Sequence, residues 1–237
     1  MRDSHSERER ERDMSDARHE LVAAGRELTA AGLSPGASGN LSVRIGNRIH
    51  ITPTGTRLDT LDADGLAVLD ADAPVDTPLE QALLAGPRPS KEFPLHLALY
   101  HRDPATTAVV HLHSAHAAAY ACLPPWSERS AVPPLTPYFV MRVGQTPLVP
   151  YAEPGDVTQA VLLRELDFPF RAALLQNHGP VTAGTSMAAA ADAAIELEET
   201  ARLLLLLNGG TPRLLTEDEA GALAERYGTP WQPVTAG

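Results

Sequence analysis

Three histidines in two short stretches are the residues of this chain best suited to chemistry. His111 and His113 stand in "AVVHLHSAH", directly after a small apolar run, and His178 stands in "LLQNHGPVTAG", beside Gly179-Pro180. In a strand, residues two apart face the same side about 7 Å apart, so His111 and His113 can offer two imidazoles to one ion. Leu112 between them then faces the opposite way, into a core. A catalytic zinc ion takes three protein ligands and keeps one position open for water or substrate, and His178 is the candidate third ligand. Taken singly, an H-x-H pair or a histidine beside a turn is just as readily a polar residue at the end of a buried strand. His116, at the start of the next helix, reads as a cap or a solvent-facing residue. His19, His50, His96 and His101 read as structural residues on helix or strand surfaces.

A carboxylate and a set of anion donors accompany the histidines. "PRPSKEFPLH" puts Ser90, Lys91 and Glu92 at the start of a helix, where unpaired amides and the positive end of the dipole suit an anion. The plain alternative is a simple cap, with Ser90 on the first amides and Glu92 in the first turn. "SGN" (Ser38 to Asn40) and "TPTG" (Thr52 to Gly55) are glycine loops with further donors. Of 19 basic side chains only Lys91 is a lysine, which singles out its position.

The elements that must hold these residues alternate between strand and helix patterns, an α/β arrangement. Apolar residues at Ala17, Leu21, Ala24, Leu28 and Ala31 predict a helix from Ser15 to Leu33. "LSVRI" and "RIHITP" form a hairpin around Gly46-Asn47. "EFPLHLALYHR" is a helix beginning near Lys91, "TTAVVHLHS" a buried strand, and "AHAAAYACL" the helix after it. "RAALLQNHGPVTAG" is a strand, a turn at His178-Gly179-Pro180 and a second strand. The long segment from Thr185 to Gly210 is a helix capped by Thr185 or Ser186. Residues 1–14, a mixed-charge run, read as a disordered tail, and 15–237 as a single domain.

Bulk properties narrow the function classes. A chain of 237 residues with 43% hydrophobic residues can bury a sizeable core. Its net charge of −11 gives no basic footprint for nucleic acid or an anionic membrane. A lone cysteine, Cys122, excludes an intrachain disulfide, and with no apolar leader at the N-terminus a cytoplasmic location is expected. "ARLLLLL" is too short to span a bilayer.

"GASGNLSVR", "ITPTG", "PSKE", "VVHLHS" and "LLQNHGPVTAG", in this order from about residue 15 to 210, resemble the class II aldolase/adducin family. "PSKEFPLH", "PYFVMRVG" and "PYAEPGD" look most like its 3-oxo-tetronate 4-phosphate decarboxylases. The resemblance implies a three-layer α/β/α fold with a central, largely antiparallel sheet. It implies one Zn²⁺ per subunit on His111, His113 and His178, with Glu92 as a displaceable fourth ligand and acid/base. It also implies a phosphate cradle from Gly39, Asn40, Thr54, Gly55 and Ser90, and a homotetramer with interfacial sites in which Tyr138 serves a neighbouring subunit. Where related aldolases carry a second serine this chain has Lys91, which favours a substrate with an additional carboxylate. The implied reaction decarboxylates a phosphorylated sugar acid, through a metal-stabilised enediolate, to dihydroxyacetone phosphate. Competing readings are a fuculose-phosphate-like aldolase, a ribulose-phosphate 4-epimerase, a Schiff-base enzyme built on Lys91, and a non-catalytic adducin-like scaffold.

Overall fold

The computed structural model describes residues 3–232, with side chains from Ser15 onward. Helix α1 (Asp3–Ala30) precedes the hairpin of β1 (Asn40–Ile45) and β2 (Arg48–Ile51). Two single 3-10 turns lead to β3 (Ala67–Asp70), the one-turn α2 (Leu79–Ala82) and β4 (Leu83–Ala85). Next come α3 (Phe93–Arg102), β5 (Ala108–His111), α4 (Ala115–Tyr120) and α5 (Pro137–Arg142). The chain ends with β6 (Leu148–Val149), α6 (Thr158–Glu165), β7 (Ala172–Leu175), β8 (Gly179–Gly184), α7 (Met187–Leu206) and α8 (Glu217–Tyr227).

The strands form one sheet in the order β4-β3-β2-β1-β5-β8-β7-β6. Neighbours are antiparallel throughout except for β6 and β7. Strand alternation divides the core between two faces. Val109 of β5 packs in the cluster beneath α3 and α6, while Ala108, Val110 and Leu112 pack in the cluster beneath α1 and α7. Ala172 and Leu174 of β7 meet α4, α5, α7 and α8 in a third cluster. Three layers result, as the family resemblance implies. On β1 the same parity sends Leu41 and Val43 toward α1 and α7, and leaves Asn40 and Ser42 facing α3.

Helix α1 itself begins at Asp3, within the mixed-charge run, where arginine and glutamate carry strong helix propensity without an apolar stripe. Residues 1 and 2 of that run lie outside the described residues. Three local features differ from the sequence expectations. Strand β5 stops at His111 and does not run through His113. Its partner residue Pro180 accepts the Leu112 amide bond (3.1 Å) but has no N–H to return one, and Ser114 then caps α4. Helix α3 begins at Phe93, with Glu92 in the N-cap position at φ −92°, ψ 11°. The reversal before β8 falls at Gln176 to His178, with Asn177 at φ 57°, and Gly179-Pro180 already belong to the strand.

Arg102, at the end of α3, ties that helix to the segment leading into β7. Its guanidinium donates to the carbonyls of Leu163 (2.9 Å), Arg164 (3.0 Å), Leu166 (2.6 Å) and Phe168 (2.8 Å), and lies 4.3 Å from the Phe170 ring centroid. Among the described residues no helix is long and apolar enough to cross a membrane. Arg102→Ala is expected to lower the unfolding free energy by about 2–3 kcal/mol, since charged donors are lost from partly buried carbonyls. Denaturant titration measures this, and an unchanged midpoint counts against the anchoring role.

Candidate metal centre

Parity and packing bring the predicted ligands together at the end of β5. His111 shares the face of Val109 and points toward α3, where Glu92 sits at the N-cap. Glu92 makes no capping bond with its side chain, so the carboxylate is available to the histidines. Its Oε2 lies 3.3 Å from His111 Nε2 and its Oε1 lies 3.1 Å from His178 Nε2. His113 Nε2 is 3.1 Å from His111 Nε2 and 3.0 Å from His178 Nε2. Although His113 lies beyond the strand, the turn into α4 still delivers its ring to the cluster.

Backbone close approaches make this convergence possible. The Pro180 carbonyl accepts from His111 Nδ1 at 2.9 Å, which leaves Nε2 facing the cluster centre. A Cβ on Gly179 would lie 2.3 Å from the Leu112 carbonyl oxygen, so only glycine lets β8 meet that segment and place His178 beside it. Gly39, at φ +79°, passes the His111 carbonyl with the same economy of space. Glu198 from α7 accepts from the backbone amides of His116 (3.0 Å) and Ala117 (2.7 Å) and from His116 Nδ1 (2.8 Å), fixing the start of α4. His116 is thus outside the cluster, as its position in the sequence implies.

The donor set fits a small cation. Ligands on a tetrahedral ion with Zn–N bonds of 2.0–2.1 Å lie about 3.3 Å from one another. The separations of 3.0–3.3 Å here match that requirement. One donor atom from each of Glu92, His111, His113 and His178 lies within 4.8 Å of all the others. Burial, followed by the neighbouring imidazoles, pushes His113 down to about 4, so its ring is neutral and able to bind metal at pH 7. Burial acting alone raises the Glu92 carboxyl, but His111 and His178 outweigh it and hold the group well below the usual carboxylate range.

Gly39, Asn40, Thr54, Gly55, Ser90 and Lys91 all line one cavity, and Glu92 and His113 line it with them. Ser90 Oγ accepts the Glu92 amide at 3.3 Å, keeping its own hydrogen for another acceptor. Lys91 is exposed and passes over Gly155, whose Cβ position lies 3.1–3.3 Å from the Lys91 side chain. Asn40 departs from the others in that its side chain is already engaged, donating to Glu92 Oε2 at 2.8 Å. Tyr138 lines neither cluster nor cavity in its own chain and is 58% exposed.

Sequence reasoning missed two buried histidines. His50 and His96 are not on element surfaces, and His96 contacts Asn40 at 2.6 Å. A signal was present: Glu92, His96 and Tyr100 recur at intervals of four along α3, and Asn40 and Ser42 at an interval of two on β1.

A family profile described as the Class II Aldolase and Adducin N-terminal domain matches residues 19–205. The chain belongs to this family. Within it, a 3-oxo-tetronate 4-phosphate decarboxylase of Haemophilus influenzae is 42% identical over 207 residues, 87% of this chain and 95% of the relative. A protein of the same description from Escherichia coli K12 is 42% identical over 210 residues, 88% and 93% of the two chains. An L-fuculose phosphate aldolase of Haemophilus influenzae is more distant, at 31% over 208 residues, 86% and 89%. The crystal structure of YgbL from Klebsiella pneumoniae matches with a TM-score of 0.81 at 40% identity, covering 89% of this chain and 98% of that one. An L-fuculose 1-phosphate aldolase gives 0.75 at 28%, covering 90% and 96%. The class II aldolase fold is therefore the fold of this chain.

Adding a divalent ion to chelator-stripped protein, at about 100 times its dissociation constant, is expected to stabilise it by about 2.7 kcal/mol. His113→Ala is expected to abolish that gain in a thermal-shift titration. An equal gain in the variant would mean that the ion binds elsewhere.

Proposed function

We propose that this chain is a zinc-dependent decarboxylase of 3-oxo-tetronate 4-phosphates, releasing CO₂ and dihydroxyacetone phosphate. The observation that carries the reading is one cavity lined by phosphate donors, a lone lysine and the Glu/His₃ cluster. The roughly 40% identity to decarboxylases of that description supports the substrate class. A bound zinc ion would supply Lewis-acid stabilisation of the negative charge that develops on the substrate's C3 oxygen.

The protein's own groups do the rest. Ser90, Thr54 and the backbone around Gly39 and Gly55 hold the phosphate at the cavity wall. Lys91 places its charge at the rim, where a carboxylate at the other end of a four-carbon substrate needs it. An exposed lysine suits this electrostatic part better than that of a Schiff-base nucleophile, which depends on desolvation. The C1–C2 bond breaks, its electron pair passes into the C3 carbonyl, and CO₂ leaves. Glu92 takes up a proton from solvent and passes it to C2. Tyr138, exposed on α5, closes the site of a neighbouring chain in a homotetramer. The free thiol of Cys122 and a phosphorylated substrate are in keeping with the cytoplasm.

The test is CO₂ release from 3-oxo-tetronate 4-phosphates, with metal content measured on the same sample. Glu92→Gln is expected to lower kcat by about 100-fold or more while the fold is kept. Lys91→Met is expected to raise KM by about tenfold or more, the loss of one charged contact. Aldehyde release in place of CO₂, or full turnover by metal-free protein, defeats the reading.

A further inference from the structure

Behind Glu92 lies a buried chain of polar groups that the proposed chemistry does not use. Glu92 Oε2 accepts from Asn40 Nδ2 at 2.8 Å, and Asn40 Oδ1 lies 2.6 Å from His96 Nε2. His96 Nδ1 lies 2.7 Å from Ser42 Oγ, which lies 2.8 Å from the Tyr100 hydroxyl. Ser42 and His96 are fully buried, and Asn40 and Tyr100 nearly so. Such a network is stabilising only when every member is satisfied.

The direction of each bond follows from the carboxylate. An ionised carboxylate only accepts, so the Asn40 group beside it is the NH₂ and the group beside His96 is the carbonyl. His96 Nε2 must then carry a hydrogen. Burial, then the neighbouring His111, pushes His96 down to about 3, so the ring is neutral and Nδ1 is an acceptor. Ser42 donates to Nδ1, and Tyr100 donates to Ser42. The chain reads Tyr100 to Ser42 to His96 to Asn40 to Glu92, with a donor and an acceptor at every step.

We propose that His96, oriented by Ser42 and Tyr100, is a positioning residue that locks the Asn40 amide and so makes the two oxygens of Glu92 inequivalent. Oε2 is held permanently as an acceptor. Oε1 faces the histidine cluster, 3.1 Å from His178 Nε2, and is the oxygen open to the reacting atoms. With His96 unable to donate, the Asn40 amide is free to flip, which turns its carbonyl against the carboxylate and releases the rotor. The inference rests on the reading of Glu92 as proton carrier.

Two substitutions of similar polarity separate positioning from packing. Glutamine places an amide nitrogen near the position of Nε2, whereas asparagine reaches only as far as Nδ1. His96→Asn is expected to lower kcat by about 10–100-fold with KM and divalent-ion affinity within about threefold. His96→Gln is expected to restore kcat to within about threefold of the parent. Equal losses in both variants, or a loss carried by KM, overturn the proposal. The ¹⁵N spectrum of histidine-labelled parent, with His96 assigned by its absence in His96→Gln, reads the tautomer without any turnover. An Nε2–H ring supports the relay, and an Nδ1–H ring overturns it. If the parent releases no CO₂, the proposed function fails alone, and the tautomer still decides the relay.

Discussion

The Pro180 carbonyl oxygen is the point on which the site depends. It accepts from the Leu112 amide and from the His111 ring at once, so one acceptor ends the strand pairing and sets the tautomer of the first ligand. Proline at that position has no hydrogen to continue the ladder, and the chain after Leu112 is released to turn His113 inward. Gly179 beside it allows the two backbones to approach within a distance that no other residue permits. A strand end, a proline and a glycine thus accomplish together what three histidines in a flexible loop could not, since each ring would lose rotamer freedom on meeting an ion.

The layer between the sheet and α3 has a division of labour. Toward the middle of β1 and α3 it is packed with polar groups that satisfy one another, and at the N-terminal end of α3 it opens into the cavity. The Glu92 carboxylate stands at the boundary, with one oxygen in the dry network and the other toward the histidine cluster. Charge follows the same gradient: neutral His96 and His113 lie inside, and Lys91 lies at the rim in contact with water. A site arranged this way keeps its strongest electrostatics in the low-dielectric part and its substrate selection in the exposed part.

Much of the site was legible because its residues carry short-range signals. The H-x-H spacing, the glycine beside His178 and the Ser90-Lys91-Glu92 run each have a local physical meaning, and their order points to one family. The sheet could be read from alternation in "LSVRI" and "TTAVVHLHS". What escaped was the buried hydrogen bonding between β1 and α3, set by contacts across 50 or more residues. The Asn40–Glu92 bond spans 52 positions and the Ser42–Tyr100 bond 58. The resemblance implies Asn40 in a phosphate cradle, and the packing of β1 under α3 turns its side chain toward the carboxylate as well. The end of β5 was misjudged for a similar reason, since Pro180 limits the strand from a different part of the chain.

The separation of the ligands has a consequence for how the molecule is made. His113 and His178 are 65 residues apart, and β8 and its neighbours must be in place before their rings meet. A growing chain on the ribosome therefore offers at most a histidine pair and a carboxylate, a weak trap for any ion. The complete Glu/His₃ set arises only when the sheet closes, so an ion that takes this site is one captured by finished protein. Selection at such a set is a late event, governed by the rigidity of a completed fold and not by the order in which the ligands are synthesised.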